Sequence, residues 1–157
     1  KSCELVCIEG LADRRSCAGS GRYPNFNKEN LEEFLHENNI KYIHLKSLGG
    51  RRQAKQDSKN TVWRNASFRS YADYMETNEF INAMQKLEDT AIKQRAAYMC
   101  SEAVWWHCHR SLVSDYLKLN GWKVYHIMDV EKSTEHTYTT PAKIINGKLS
   151  YEENTLL

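Results

Sequence analysis

A chain of 157 residues with a net charge of +2 is long enough for one domain with a real core, and too nearly neutral to bind nucleic acid by bulk charge. No run approaches the ~18 apolar residues of a membrane span, and the amino end does not read as a signal peptide. Five cysteines (Cys3, Cys7, Cys17, Cys100, Cys108), odd in number and without paired spacing, point away from a secreted disulfide framework and toward a reducing cytoplasm.

In chain order, Ile8 to Ala12 is a short apolar run leading into Asp13-Arg14-Arg15, as a strand ending in a polar turn would. Ser16 to Asn25 holds Gly19, Gly21 and Pro24 and reads as a loop. Asn27 suits the cap of a helix whose apolar positions are Leu31, Phe34 and Leu35. Lys41 to Leu45 alternates as a strand does, and Leu48 to Arg69 is a long polar connection of the kind that usually carries function. Thr77 suits the cap of the next helix, with Phe80, Ile81, Met84, Leu87 and Ile92 on one face. A strand runs to Cys100. A helix from about His109 to Leu119 follows, with Leu112, Val113, Tyr116 and Leu117 inward and Gly121 as its stop. Trp122 to Met128 reads as the next strand, and Asn146-Gly147 between Lys143 and Tyr151 marks a type I′ hairpin. Strands alternating with helices predict one α/β domain over residues 1–157, Rossmann-like and three-layered, with a mainly parallel sheet and a small C-terminal β-hairpin.

Open α/β sheets present their chemistry at the carboxyl ends of strands. Cys100, Glu102, Cys108, His109 and Arg110, five groups able to ionise, ligate or bind anions, fall within eleven residues at such an end. Cys108 falls at a helix amino terminus beside Arg110, where free N–H groups and positive charge favour thiolate; the alternative is a buried residue without chemistry. Glu102 suits a general acid or base, or a bridge to Arg110 that only fixes the loop. Cys100 is commonly packing at such a position. Cys100, His107, Cys108 and His109 lack the regular ligand spacing of a zinc site, so no metal is expected, and no motif requires a cofactor. Of the adjacent Trp105 and Trp106, one can stack on a base or ligand ring, and His126 ends a strand within reach of the cleft.

Charge is unevenly spread. Seven basic residues between Lys46 and Arg69 face Asp57 alone, and Arg14, Arg15 and Arg22 form a second basic segment. Gly49-Gly50-Arg51-Arg52 offers N–H groups and two guanidiniums to a phosphate or carboxylate; a solvated basic loop is the plainer reading. Asp13 and Arg15 stand at another strand end. Convergence of Asp13, Arg15, Arg51, Arg52, Glu102 and Arg110 on one rim is the expectation from the α/β rule.

Ser47-Leu48-Gly49-Gly50-Arg51-Arg52, Phe68-x-x-Tyr71-Ala72-x-Tyr74-Met75, Met99-Cys100-x-Glu102 and Cys108-His109-Arg110 resemble, in order, the motifs of domain of unknown function family 488 (YeaO-like). Asp13-x-Arg15, the Ser20–Asn27 loop, His126 and His136 also fit, the last suggesting a lid with Thr137. Family members begin with a further strand carrying Thr-Ile-Gly-His-Ser and a helix, of which Lys1 to Cys7 resembles the end; Arg14 and Ala18 stand where an aliphatic residue and a proline are usual. The resemblance implies a Rossmann-like fold and no established reaction.

The leading expectation is an enzyme acting on a phosphate-bearing nucleotide or nucleic acid. Arg15, Arg22, Arg51, Arg52 and Arg110 would hold the anion and Trp105 or Trp106 the base; Cys108 would attack, and Glu102 or His109 would move the proton. A second is thiol redox or sulfur transfer by Cys108 with Cys100 as partner, and a third a non-catalytic nucleic-acid module using Lys46–Arg69. Oligomeric state is not legible.

Overall fold

The computed structural model describes residues 8–153, so the helix end expected over Lys1–Cys7 lies outside the described residues. The described chain is α/β and divides into two compact units. One holds the residues through Gly49 together with Asn78–Ser101, and the other holds Gly50–Thr77 and the residues from Glu102 onward.

The first unit is built on a three-stranded parallel sheet in the order β2-β1-β3, with β1 Gly10–Asp13, β2 Lys41–His44 and β3 Ala96–Met99. The central strand is buried along its whole length, as a strand flanked on both edges requires. Helix α1 (Lys28–Glu37) brings Leu31 and Leu35 onto Leu11 and Ile40, with Tyr42, Ala97 and Met99 packed around them. Phe34 lies on the exposed side of α1, contrary to expectation, because the apolar stripe is narrow. Asn27 occupies the cap position, but its side chain accepts from Ser20 N in the preceding loop instead of from the helix. Asn39 ends the helix in the left-handed region (φ 58°), with Ile40 N–H donating to Leu35 O and Asn39 N–H to His36 O.

Helix α2 (Ala66–Met75) belongs to the second unit, and α3 (Asn78–Lys93) belongs to the first. α3 packs against β1 and the 3-10 turn Lys46–Leu48 through Phe80, Met84 and Leu87, while Ile81 and Ile92, expected inward, are exposed. That turn is pinned by the fully buried Arg14, whose Nε and Nη2 donate to Leu48 O at 2.9 and 2.7 Å. Thr77, just ahead of α3, donates its hydroxyl to Tyr74 O at 2.7 Å.

In the second unit, α4 (Arg110–Leu119) buries Leu112, Val113 and Leu117 together with Ser111, Ser114 and Asp115. Gly121 (φ 86°) and Trp122 close α4, through Gly121 N–H to Lys118 O and Trp122 N–H to Leu117 O. The expected strand after Trp122 is β4 (Tyr125–Asp129), but it pairs antiparallel with β5 (Lys132–Glu135) as a separate hairpin and adds nothing to the parallel sheet. The Asn146-Gly147 hairpin joins β6 (Lys143–Ile145) to β7 (Lys148–Ser150), with φ of 51° and 74° at the two turn residues, the signs a type I′ turn demands. Among the described residues no helix is long and apolar enough to cross a membrane.

Candidate functional site

The most connected polar constellation lies in the second unit and is organised by Asp115, on the buried face of α4. Its carboxylate accepts four hydrogen bonds. His136 Nε2 donates to Oδ1 at 2.8 Å and Thr139 N–H to the same oxygen at 2.9 Å; Thr139 Oγ1 and Tyr151 OH donate to Oδ2 at 2.6 and 2.9 Å. Four donors fill the acceptor capacity of a carboxylate. Burial and the facing carboxylate push the Tyr151 hydroxyl well above its ordinary range, so it stays a donor.

The order of hydrogens follows. His136 gives its Nε2 hydrogen to Asp115; in the tautomer with Nδ1 bare, that nitrogen accepts from His126 Nε2 across 2.9 Å. Neutral His126 then carries its lone pair on Nδ1. Trp105 holds the His126 ring flat, with centroids 3.9 Å apart and planes 1° from parallel, and meets His136 edge-on. Exposure rises along the chain, from 0% at Asp115 and 1% at His136 to 8% at His126. Burial, then the neighbouring His136 and the charge of Arg110, bring the His126 pKa down to about 4 against the pull of Asp115. At neutral pH His126 is an uncharged imidazole.

Around it, Arg110 turns Nη2 onto the backbone carbonyls of Glu102 and Ala103, so the expected Glu102–Arg110 contact runs through the main chain and not the carboxylate. Arg110 Nε is buried without a hydrogen-bond partner among the described residues. Trp106 stands edge-on to Trp105 and is 49% exposed, whereas one face of Trp105 is occupied by His126. Cys108 is fully buried just ahead of α4, and its Sγ accepts from Arg110 N–H at 3.4 Å. His109 is enclosed by Phe68 and Tyr71, with ring centroids 4.9 and 5.0 Å away, and a Cβ on Gly50 would collide with its ring. Arg52 lies over the Tyr74 ring at 3.5 Å, and Arg51 is exposed.

The remaining sequence-derived candidates belong to the first unit. At the end of β1, Asp13 accepts from Arg15 Nε and Nη2, the latter at 2.6 Å, and from Tyr42 OH at 2.8 Å. Burial pushes the Asp13 carboxyl up, but the donors of Arg15 and Tyr42 outweigh it and hold the pKa below the ordinary aspartate value. Tyr42 is raised by burial and by its bond to Asp13. Arg15 also donates Nη1 to Phe26 O, and its carbonyl meets His44 Nε2. Arg22 is exposed, with its guanidinium over the Tyr23 ring, and Cys100 lies beside Ser101. Cys100 and Cys108 fall in different units.

Sequence reasoning singled out His126, Trp105 and Arg110 and missed Asp115, Thr139 and Tyr151. His136, read as part of a lid, is instead almost fully buried at the centre of the chain. The signal for Asp115 was present: it lies three and four residues after Leu112 and Ser111, on the inward face, where an unpaired carboxylate would be costly. Among the described residues no group of three or more His, Cys, Asp or Glu side chains is placed to hold a metal ion.

A family model described as a domain of unknown function, DUF488, matches residues 6–117. No curated protein and no solved structure matches the chain.

Proposed function

The chain belongs to the DUF488 family, a membership that carries no reaction with it, and we propose that it is an enzyme acting on a phosphate-bearing nucleotide by proton transfer at His126. The observation that carries this reading is the Asp115–His136–His126 chain ending in a neutral imidazole. Such a ring accepts a proton at Nδ1. Handing the Nε2 hydrogen on to His136 then moves the positive charge against the Asp115 carboxylate, where it is best compensated.

Arg110 supplies the anion-binding half. Its charge opposes protonation of His126, so an anion seated on the guanidinium relieves that opposition and makes His126 a stronger base when substrate is bound. The unused Nε donor and the exposed Trp106 ring suit a phosphate and a base respectively. His109 is read as packing that holds Gly50, Phe68 and Tyr71 together, and Glu102 as a backbone contact of Arg110.

Imidazole NMR titration from pH 3 to 8, with and without inorganic phosphate or a 5′-mononucleotide, tests the reading. His126 is expected to titrate near 4 and to rise by about one unit, a tenfold change in proton affinity, when the anion binds. A His126 that titrates at its ordinary value, indifferent to either anion, would sink the proposal. A screen of nucleotide phosphoesters should find a turnover lost in His126→Gln and in Arg110→Gln.

A second reading, thiol chemistry at Cys108, is favoured by the Arg110 N–H directed at its sulfur. Alkylation of the native protein below the ordinary thiol pKa of ~8.5 would support it; inertness until unfolding would make Cys108 packing.

A further inference from the structure

Residues 51–65 form an irregular connection in the second unit, and its polar side chains sort into two sets. The inward set is bonded. Arg52 covers the Tyr74 ring, Ser58 Oγ donates to the buried Asp73 at 2.6 Å, and Asn60 Nδ2 donates to Asp73 at 2.8 Å and to Glu76 at 3.0 Å. Val62 N–H donates to Tyr151 O, Trp63 O accepts from Arg69 Nε, and Asn65 caps α2 through Ser67 N–H and Phe68 N–H. Anchored at this many points, the connection has a defined course despite having no helix or strand.

The outward set, which also holds Gln53, Gln56, Asp57 and Thr61, contains four cations. Arg51, Lys55, Lys59 and Arg64 are exposed, and among the described residues none of the four makes an ion pair or a side-chain hydrogen bond. Asp57 is the one acidic residue of the segment. Trp63 packs on Phe68 of α2 and on Tyr151, Val62 is partly buried, and no large apolar side chain among the described residues of the segment is exposed, so the cations are not interleaved with exposed large apolar residues. That separates the surface from one built to enter a membrane interface, where apolar insertion accompanies charge. Stability gives no reason for four unanswered cations in a row on a pinned scaffold; a polyanion with regularly spaced charges does.

We propose that residues 51–64 bind the phosphodiester backbone of a nucleic acid, through Arg51, Lys55, Lys59 and Arg64, without reading its sequence. The inference does not depend on proton transfer at His126. If both hold, the nucleotide acted on is part of a strand.

The test is fluorescence anisotropy of a labelled oligothymidylate and of a mixed-sequence duplex with the full chain, from 50 to 200 mM NaCl. Four phosphate contacts give a slope of log K against log[salt] of about −3 for the single strand, roughly a fifty-fold loss across that range. The R51Q/K55Q/K59Q/R64Q variant should bind at least tenfold more weakly at 50 mM NaCl, with a flattened slope and an unchanged thermal midpoint. Absence of binding at 50 mM NaCl, or a slope that survives the four substitutions, would overturn it. So would equal affinity for phosphatidylserine vesicles. The fourfold variant should leave the His126 titration, read with and without inorganic phosphate, as it was, and a His126 that ignores phosphate would leave the salt-dependent oligonucleotide binding standing, so either inference can fail alone.

Discussion

Asp13 and Asp115, buried aspartates in different units, show how the same side chain serves different ends. Asp13 is answered by a permanent cation, Arg15, and by Tyr42, so its charge is cancelled where it stands and goes no further. Asp115 is answered by hydroxyls, a backbone N–H and an imidazole, and through His136 its influence reaches His126. The partner decides the outcome. A guanidinium cannot give up its proton at any working pH and makes a fixed joint, whereas an imidazole can accept or release one and makes a relay.

Substitutions can break this contrast. The largest effect is expected from Asp13→Ala, which strands the buried Arg15 cation and should cost about 3–5 kcal/mol in urea unfolding. Asp115→Asn keeps the shape and leaves neutral donors facing a neutral amide, so about 1–3 kcal/mol is expected. Its diagnostic change is a reassigned His136 and His126 tautomer in imidazole NMR. A larger loss from Asp115→Asn than from Asp13→Ala would reverse the distinction between joint and relay.

The pH dependence sharpens it. Folded His126 titrates near 4, below its ordinary value of 6.5, so between about 6.5 and 4 the unfolded chain binds more protons and stability falls as pH falls. His126→Gln should flatten that part of the curve. Asp13 contributes at lower pH: its depressed pKa gives stability that is present above the ordinary aspartate value of 3.8 and lost as pH drops through the folded one. Asp13→Asn, which also leaves Arg15 unpaired, should lower stability at neutral pH and flatten this acid limb while leaving the His126 limb in place, as seen in denaturant midpoints measured across pH. The smallest change is expected for Tyr151→Phe, which removes one of four donors to Asp115 and should cost about 1 kcal/mol while shifting the His136 imidazole signals. Unshifted signals would mean that Tyr151 only packs.

How far the sequence reveals such features depends on whether they are local. α1 and α4, and the Asn146-Gly147 hairpin, were legible because each is specified by neighbours in the chain: apolar spacing, a residue with positive φ, a two-residue turn. β5 was not, since Lys132-Ser133-Thr134-Glu135 is exposed and polar throughout, and its pairing rests on main-chain bonds to β4 that leave no apolar pattern. The exposure of Ile81 and Ile92 has the same root, since helical spacing marks a face but not how much of it a neighbour covers.

The candidate site divides along that line too. That a cysteine, a histidine and an arginine open α4, and that a histidine sits on β4, is written in the sequence alone. Its cation-rich connection before α2 is as well. Which of these residues answer one another was settled by tertiary structure. His136, Thr139 and Tyr151 reach Asp115 from 21 to 36 residues away and His126 joins them through His136, and nothing in their local spacing requires it. Backbone conformation is decided over a few residues by sterics and local hydrogen bonds. A buried carboxylate finds its donors only when packing removes water from it, and that is a property of the folded chain.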